Sequence, residues 1–210
     1  DPEMWPEEYQ KYFFKPVGDG EFDWQYEQHA NVITPDGDVM CFDNGHFRSK
    51  NPAKRILNKD NFSRGVRYKI NTDTMEIEQV WQFGKERGQD FYSQYICNVE
   101  YYKEGHYMVH SGGIQWYGED ASEQFAALMQ DDPMARTNSI TCEVLDDEVM
   151  LELEVTGNFY RAEKLHLYHN GDNAPLGEGK KLGKMGHTKE FDTIVEMDSC
   201  GEELSYIYES

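Results

Sequence analysis

The chain has 210 residues, enough to bury a good core as one or two domains. Its 40 acidic residues outweigh 20 Lys and Arg, giving a formal net charge of −20. That balance argues against nucleic-acid binding, which needs clustered bases, and disfavours anionic membrane surfaces. A small anionic substrate remains compatible, because a local site can be basic inside an acidic shell.

Residues 1–20 read as an irregular lead-in, with Pro2, Pro6, Pro16, a Gly18-Asp19-Gly20 turn and a short helical turn near 7–13. The chain begins at Asp1 and shows no signal peptide. A processed, excised or engineered N-terminus is therefore expected. Apolar runs at 30–34 and 39–42 flank Pro35-Asp36-Gly37-Asp38, a strong hairpin signal. Asp43-Asn44-Gly45 closes the unit with turn chemistry. A long basic and polar loop follows at 46–62. A second hairpin alternates over 65–70, turns at Asn71-Thr72-Asp73-Thr74 and returns over 77–83 to Gly84.

The pattern then repeats. Strands at 97–102 and 106–110 flank Lys103-Glu104-Gly105 and run to Ser111-Gly112-Gly113. After a loop at 114–137, strands at 139–144 and 149–155 flank Asp146-Asp147 and end at Gly157. Gly45 recurs as Gly112, 67 residues on, and Gly84 as Gly157, 73 residues on. Two four-stranded units, 29–84 and 96–157, suggest consecutive blades of a β-propeller within 21–210. Residues 160–210 supply a partial blade or closing strands: a strand at 165–168, a Gly/Lys-rich loop at 177–186 and a hairpin over 193–208. The expected fold class is all-β, a partial propeller of two to three blades. Such a piece cannot close a ring, so further protein is expected to belong with it.

The repeat also filters candidate site residues. A residue needed only to build a blade should recur in kind. On the 67-residue offset Asn31 matches Asn98, Val32 matches Val99 and Gly45 matches Gly112. His29 does not recur in kind, since Ile96 takes its place. It sits at the mouth of an inner strand. The other histidines carry weaker signals. His166 and His169 face opposite sides of a strand. His106 and His110 share a face without a third ligand at suitable spacing, and His46 and His187 fall in loops. Cys41, Cys97, Cys142 and Cys200 show no C-x-x-C spacing and no disulfide framework. Residues 179–184 lack the pattern and context of a phosphate loop and read as a flexible loop. No metal site is predicted.

Gln28-His29 followed by Phe42-Asp43-Asn44-Gly45 resembles the bacterial arylsulfate sulfotransferases. So do Ser63-Arg64, Tyr68-Lys69-Ile70, Gln79-Val80-Trp81, Gly84-Lys85-Glu86-Arg87-Gly88, Asp90-Phe91-Tyr92-Ser93, Ser111-Gly112-Gly113 and Tyr160-Arg161-Ala162. The motifs run in order over residues 21 to 165. The resemblance implies the C-terminal part of a six-bladed propeller. It also implies ping-pong transfer of a sulfuryl group from an aryl sulfate to a phenol, through a sulfohistidine and without the nucleotide donor PAPS or any other cofactor. On this resemblance His29 is the sulfuryl acceptor. A neutral imidazole nitrogen is a competent nucleophile near pH 7. Asn31, two residues on, is expected on His29's face. Tyr95, at the mouth of the next blade, is a candidate to stack on a phenolic ring.

The family's upstream His, His-x-Asn pair and Arg lie before the matched part. A different alignment takes His29-Ala30-Asn31 itself as the His-x-Asn pair, with Arg48 near the arginine spacing. Implied partners are an aryl sulfate, a phenol and the N-terminal half of the propeller, on another chain or an excised segment. A homo-oligomer stays open, and the family context implies a periplasmic or extracellular location. The rival readings are a non-catalytic propeller binding module, and a glycan-binding scaffold using surface Tyr and Trp.

Overall fold

A computed structural model of the chain describes residues 2–129, 131–164, 195–199 and 202–206. It divides into two units, Asp1–Lys164 and Leu165–Ser210. The first holds two antiparallel-rich sheets and short 3₁₀ helices, so the protein is all-β, with no closed barrel among the described residues.

The first sheet is built from β1 (Lys15–Pro16), β2 (His29–Ile33), β3 (Val39–Asp43), β4 (Arg64–Asn71) and β5 (Glu76–Phe83). Its order is β1-β5-β4-β3-β2, antiparallel except where β1 runs parallel to β5. The predicted turns are the observed ones. Gly37 adopts φ 88 between β2 and β3, where Thr34 N–H bonds Asp38 O at 2.9 Å. Between β4 and β5, Asn71 Oδ1 accepts from the backbone N–H of Asp73 and Thr74.

The second sheet comprises β6 (Asn98–Lys103), β7 (His106–Tyr117), β8 (Asp120–Ala121), β9 (Ala135–Leu145) and β10 (Glu148–Thr156). Its order is β10-β9-β7-β6, with β8 on the end of β7. Asp146 and Asp147 both take positive φ, 50 and 67, which gives the tight turn between β9 and β10 the twist a two-residue hairpin needs. In the second unit β11 (Val195–Ser199) and β12 (Glu202–Tyr206) form an antiparallel hairpin. The strand expected at 165–168, the loop at 177–186, His166, His169, His187 and Cys200 lie outside the described residues.

Two expectations of loop content change. Gly112-Gly113 does not end its strand. β7 passes through both glycines with a register shift between Ser111 and Ile114, and continues to Tyr117. The reason is steric: a Cβ on Gly112 would lie 2.0 Å from Phe159 O, so only glycine lets that backbone approach. The stretch at 46–62 is ordered by two 3₁₀ turns, Pro52–Lys54 and Asn58–Asp60, and buries Asn58 and Asn61.

The main core lies between the sheets. Met40, Phe42 and Phe83 from the first meet Val99, Tyr107, Val109, Ile140 and Cys142 from the second, with Phe91 between. A smaller cluster of Cys41, Val66, Tyr68 and Ile77 is covered by Phe14, Phe22 and Trp24. The predicted lead-in and the residues just after it thus seal the outer face of the first sheet, and Tyr68 OH donates to Asp23 O at 2.8 Å.

At the end of β3, Asp43 is completely buried. Its Oδ2 accepts from Arg64 Nε at 3.0 Å and from Arg48 Nη1 at 3.1 Å, while Oδ1 accepts from Tyr26 N–H at 2.9 Å. Arg64 is also fully buried and donates to Gln79, Gln82 and Asp23 O. Arg48 donates to Asn61 Oδ1 and Phe62 O, with its guanidinium carbon 3.4 Å from the Phe62 ring centroid. Gly45 makes room for it. Gly45 has φ 72, and a Cβ there would sit 2.6 Å from Arg48 Nη2. Breaking a buried pair from one side leaves uncompensated charge. We expect Asp43→Ala to lose about 3–5 kcal/mol of unfolding free energy, measured by urea denaturation. A loss under about 1 kcal/mol would show that the arginines are satisfied without it.

Candidate functional site

His29 opens β2 and lies opposite Phe42, on the side of the sheet that faces the second sheet. It is half-buried. Its Nδ1 lies 2.6 Å from Asn44 Oδ1. No hydrogen bond reaches its Nε2 among the described residues.

Asn44 is wholly buried and held from three directions. Its Nδ2 donates to Ser93 O at 2.9 Å and Ile96 O at 3.2 Å, and lies 3.7 Å from Cys97 Sγ. Its own carbonyl accepts from Ser63 Oγ at 2.8 Å. Ser63 Oγ in turn accepts from Ser93 N–H at 2.9 Å. Ser93 Oγ donates to Tyr95 O and accepts from Gly113 N–H, at 2.8 and 2.9 Å. A polar seam therefore joins the end of the first sheet to the segment entering the second, directly beneath His29. Cys97, inside the seam, is fully buried, and burial pushes its thiol up to about 11. Burial does the same to Cys41 and Cys142, up to about 12 each, so burial favours the neutral thiol in all three described free cysteines.

Asn31 does not share His29's face. The pairing shifts between His29, opposite Phe42, and Val32, opposite Met40. Ala30 takes φ 51 and supplies the extra residue of a bulge. His29 and Val32 therefore point to one side, and Asn31, which is exposed, to the other. The repeat is faithful here: Cys97, 67 residues after Ala30, also has positive φ, 89.

Asn31 lines a cleft of about 360 Å³ with Tyr101, Tyr102, Arg161, Glu100 and Glu163. Tyr95 is half-buried. Its OH lies 2.5 Å from Asn158 Nδ2 and its ring meets Phe125 edge-on at 5.8 Å. Burial raises its phenol above the usual value. Neither Asn31 nor Tyr95 is hydrogen-bonded to His29 among the described residues.

Arg48, the alternative sulfuryl-holding arginine, is committed to Asp43, Asn61 and Phe62 O. Burial pulls its guanidinium below the usual value, with Asp43 opposing. The Gly84-Lys85-Glu86-Arg87-Gly88 block is structural as well. Lys85 pairs with Asp23 at 2.6 Å and with Glu21, and Arg87 reaches Glu152 on β10 at 2.8 Å. A larger cleft at the opposite ends of the strands has an acidic rim of Asp36, Asp38, Glu104, Asp146 and Asp147 around Arg67. Asp38 and Glu104 bond that arginine directly, leaving little for an anion. No group of three or more His, Cys, Asp or Glu among the described residues could hold a metal ion.

Asn44 is the residue the sequence reading passed over as turn chemistry. One signal could have exposed it. On the 67-residue offset its counterpart is Ser111, so Asn44 and His29 fail to recur together.

Two sheets joined at such a seam, with the His29 imidazole above it, define an all-β scaffold among the described residues. The family model described as Arylsulfotransferase (ASST) matches residues 1–168, and the chain belongs to that family. The match takes in the lead-in as well as the motif-bearing part. An arylsulfate sulfotransferase AssT of Escherichia coli O6:H1 is 33% identical over 129 residues, which are 61% of this chain and 21% of that protein. One of Lelliottia amnigena is 41% identical over 85 residues, which are 40% of this chain and 14% of that protein. The matched stretch thus spans about a fifth or less of these relatives.

His110, 67 residues after Asp43, is buried on β7 with Nδ1 at 2.8 Å from Thr141 Oγ1 and Nε2 at 3.0 Å from Phe159 O. Burial lowers its pKa, with the Phe159 carbonyl opposing. The folded protein therefore resists a proton that the unfolded chain accepts near its ordinary value of about 6.5. The neutral ring's contribution is complete above that pH and is lost as pH falls through the lower folded value. Glu27, Asp23 and Glu143 also lose stability on acidification, but equally in a variant. We expect His110→Gln to show a smaller drop in urea midpoint than wild type between about pH 7.5 and pH 5. Equal drops would show that His110 takes no part.

Proposed function

We propose that this chain forms part of an aryl sulfate sulfotransferase in which His29 accepts the sulfuryl group. The observation that carries the reading is the environment of His29: a half-buried imidazole anchored through one nitrogen, with the other unbonded among the described residues. Family membership over residues 1–168 supplies the reaction class.

In the first half-reaction an imidazole nitrogen attacks sulfur. The N–S bond forms as the S–O bond to the aryl group breaks, and a phenolate leaves. In the second, an acceptor phenol oxygen attacks the same sulfur, the N–S bond breaks and the phenol's proton passes to solvent. One difficult transfer becomes two easier ones, with ping-pong kinetics and no PAPS. Negative charge stays on the sulfuryl oxygens throughout, so fixed cationic and N–H donors should dominate the barrier. Arg48 and Arg64 are spent on Asp43. These donors are assigned instead to parts of the protein preceding the matched stretch.

The two sheets are read as adjacent blades of a six-bladed propeller, with the unit after Lys164 contributing a partial blade or closing strands. β10 supports this. It exposes Met150, Leu151 and Leu153, an apolar surface on which a further sheet would pack. An exported, periplasmic or extracellular protein is the matching location.

The intact protein is incubated with 4-nitrophenyl sulfate and its peptides are searched for sulfonation. The sulfonate is expected on the peptide containing His29. His29→Ala is expected to slow nitrophenol release at least roughly 10³-fold. Normal turnover by that variant would sink the assignment, and absence of turnover by the wild type would favour a binding module.

A further inference from the structure

We propose that Asn44 is a positioning residue that holds His29 as the Nδ1–H tautomer and thereby makes Nε2 the attacking atom. This rests on the reading of His29 as sulfuryl acceptor, but the tautomer itself can be decided without it.

The orientation of the Asn44 amide is fixed by what surrounds it. Its nitrogen faces two backbone carbonyls, Ser93 O at 2.9 Å and Ile96 O at 3.2 Å. Carbonyls only accept, so the –NH₂ end must lie there. Reversing the amide would set Oδ1 against two oxygens in a fully buried site and leave those buried groups unsatisfied. The oxygen end is therefore turned to His29 Nδ1 at 2.6 Å. An amide oxygen donates nothing, so Nδ1 must carry the proton. A neutral imidazole carries one proton, which leaves the lone pair on Nε2.

The chemistry of the partner matters as much as its position. A carboxylate at the same place would stabilise the imidazolium and remove the lone pair at neutral pH. The neutral amide orients the ring without charging it. Other charged groups nearby are already engaged: Glu27, two residues away, pairs with Lys50 and His46. Cys97, the titratable group beside the amide, stays a neutral thiol because of its burial.

The internal repeat gives independent support. Ile96 and Ser111 occupy the positions equivalent to His29 and Asn44 in the second unit. Ile96 has no ring proton for an amide to accept, and the amide is absent with it. The Ile96 carbonyl nonetheless serves as one of the two anchors for Asn44. The non-catalytic copy thus braces the copy that carries the nucleophile.

The decisive measurement is ¹⁵N NMR of the intact protein labelled at histidine, with the His29 signals assigned by their loss in His29→Gln. With the ring neutral, we expect a protonated Nδ1 and an unprotonated Nε2. An Nε2–H ring, or the mixture of tautomers shown by free histidine, would overturn the proposal whether or not sulfur is transferred. Asn44→Asp supplies the kinetic arm. The acidic limb of kcat/KM should move up by about 1–3 pH units, with the sulfonate still on His29. An unmoved limb in a folded variant would count against Asn44. If that variant does not fold, the wild-type tautomer alone decides. If His29→Ala turns over normally while the tautomer is as expected, the sulfuryl-acceptor reading fails and the positioning role stands.

Discussion

A carboxylate at the end of β3 is taken entirely out of water, and two guanidiniums are taken out with it. Asp43 and Arg64 have no measurable exposure, and Arg48 closes the group over Phe62. The arrangement holds only because every remaining donor is used: Arg64 on Gln79, Gln82 and Asp23 O, Arg48 on Asn61 and Phe62 O. Three things depend on it. It fixes the exit of β3, ties down the long connection at 46–62, and holds the first residues of β4. Asn44 follows Asp43 directly, so the cluster also sets where its amide points.

From there the seam of Asn44, Ser63, Ser93 and Gly113 carries position across to the second sheet. Its bonds are short and internal, made by small polar groups under a core of Phe42, Phe91 and Val109. Rigidity of this kind suits the proposed nucleophile, whose N–S bond forms once and breaks once in each turnover, because small misplacements of a reacting group are costly. His29 itself stands at the half-buried margin of the seam.

The resemblance motifs divide sharply by role once placed in space. Asp43, Arg64, Lys85 and Arg87 are charged, ordered and distinctive in the sequence, yet each is engaged in holding the fold: Asp43 and Arg64 within the first sheet, Lys85 on Asp23, and Arg87 across to Glu152 of the second sheet. His29 and Asn44 are the pair to which the proposed transfer assigns the chemistry. Such charge-rich motifs speak of folding as much as of catalysis, because breaking a buried pair from one side leaves an uncompensated charge.

The sequence by itself determined the strands, their turns and the doubling of the unit. Those features are local: alternation of apolar residues, Asp36-Gly37, Asp146-Asp147, and closing glycines that recur at offsets of 67 and 73. It also singled out His29, since the comparison of two copies needs no structure. Tertiary structure decided the rest. The bulge at Ala30 turned Asn31 away from His29, and alternation cannot foresee a residue with φ 51 inside a strand. The passage of β7 through Gly112-Gly113 depended on the approach of Phe159, 47 residues on. Asn44 read as a turn residue because turns favour asparagine. Its burial depends on Ser93 and Ile96, partners 49 and 52 residues away that only the meeting of the two sheets brings within hydrogen-bond reach.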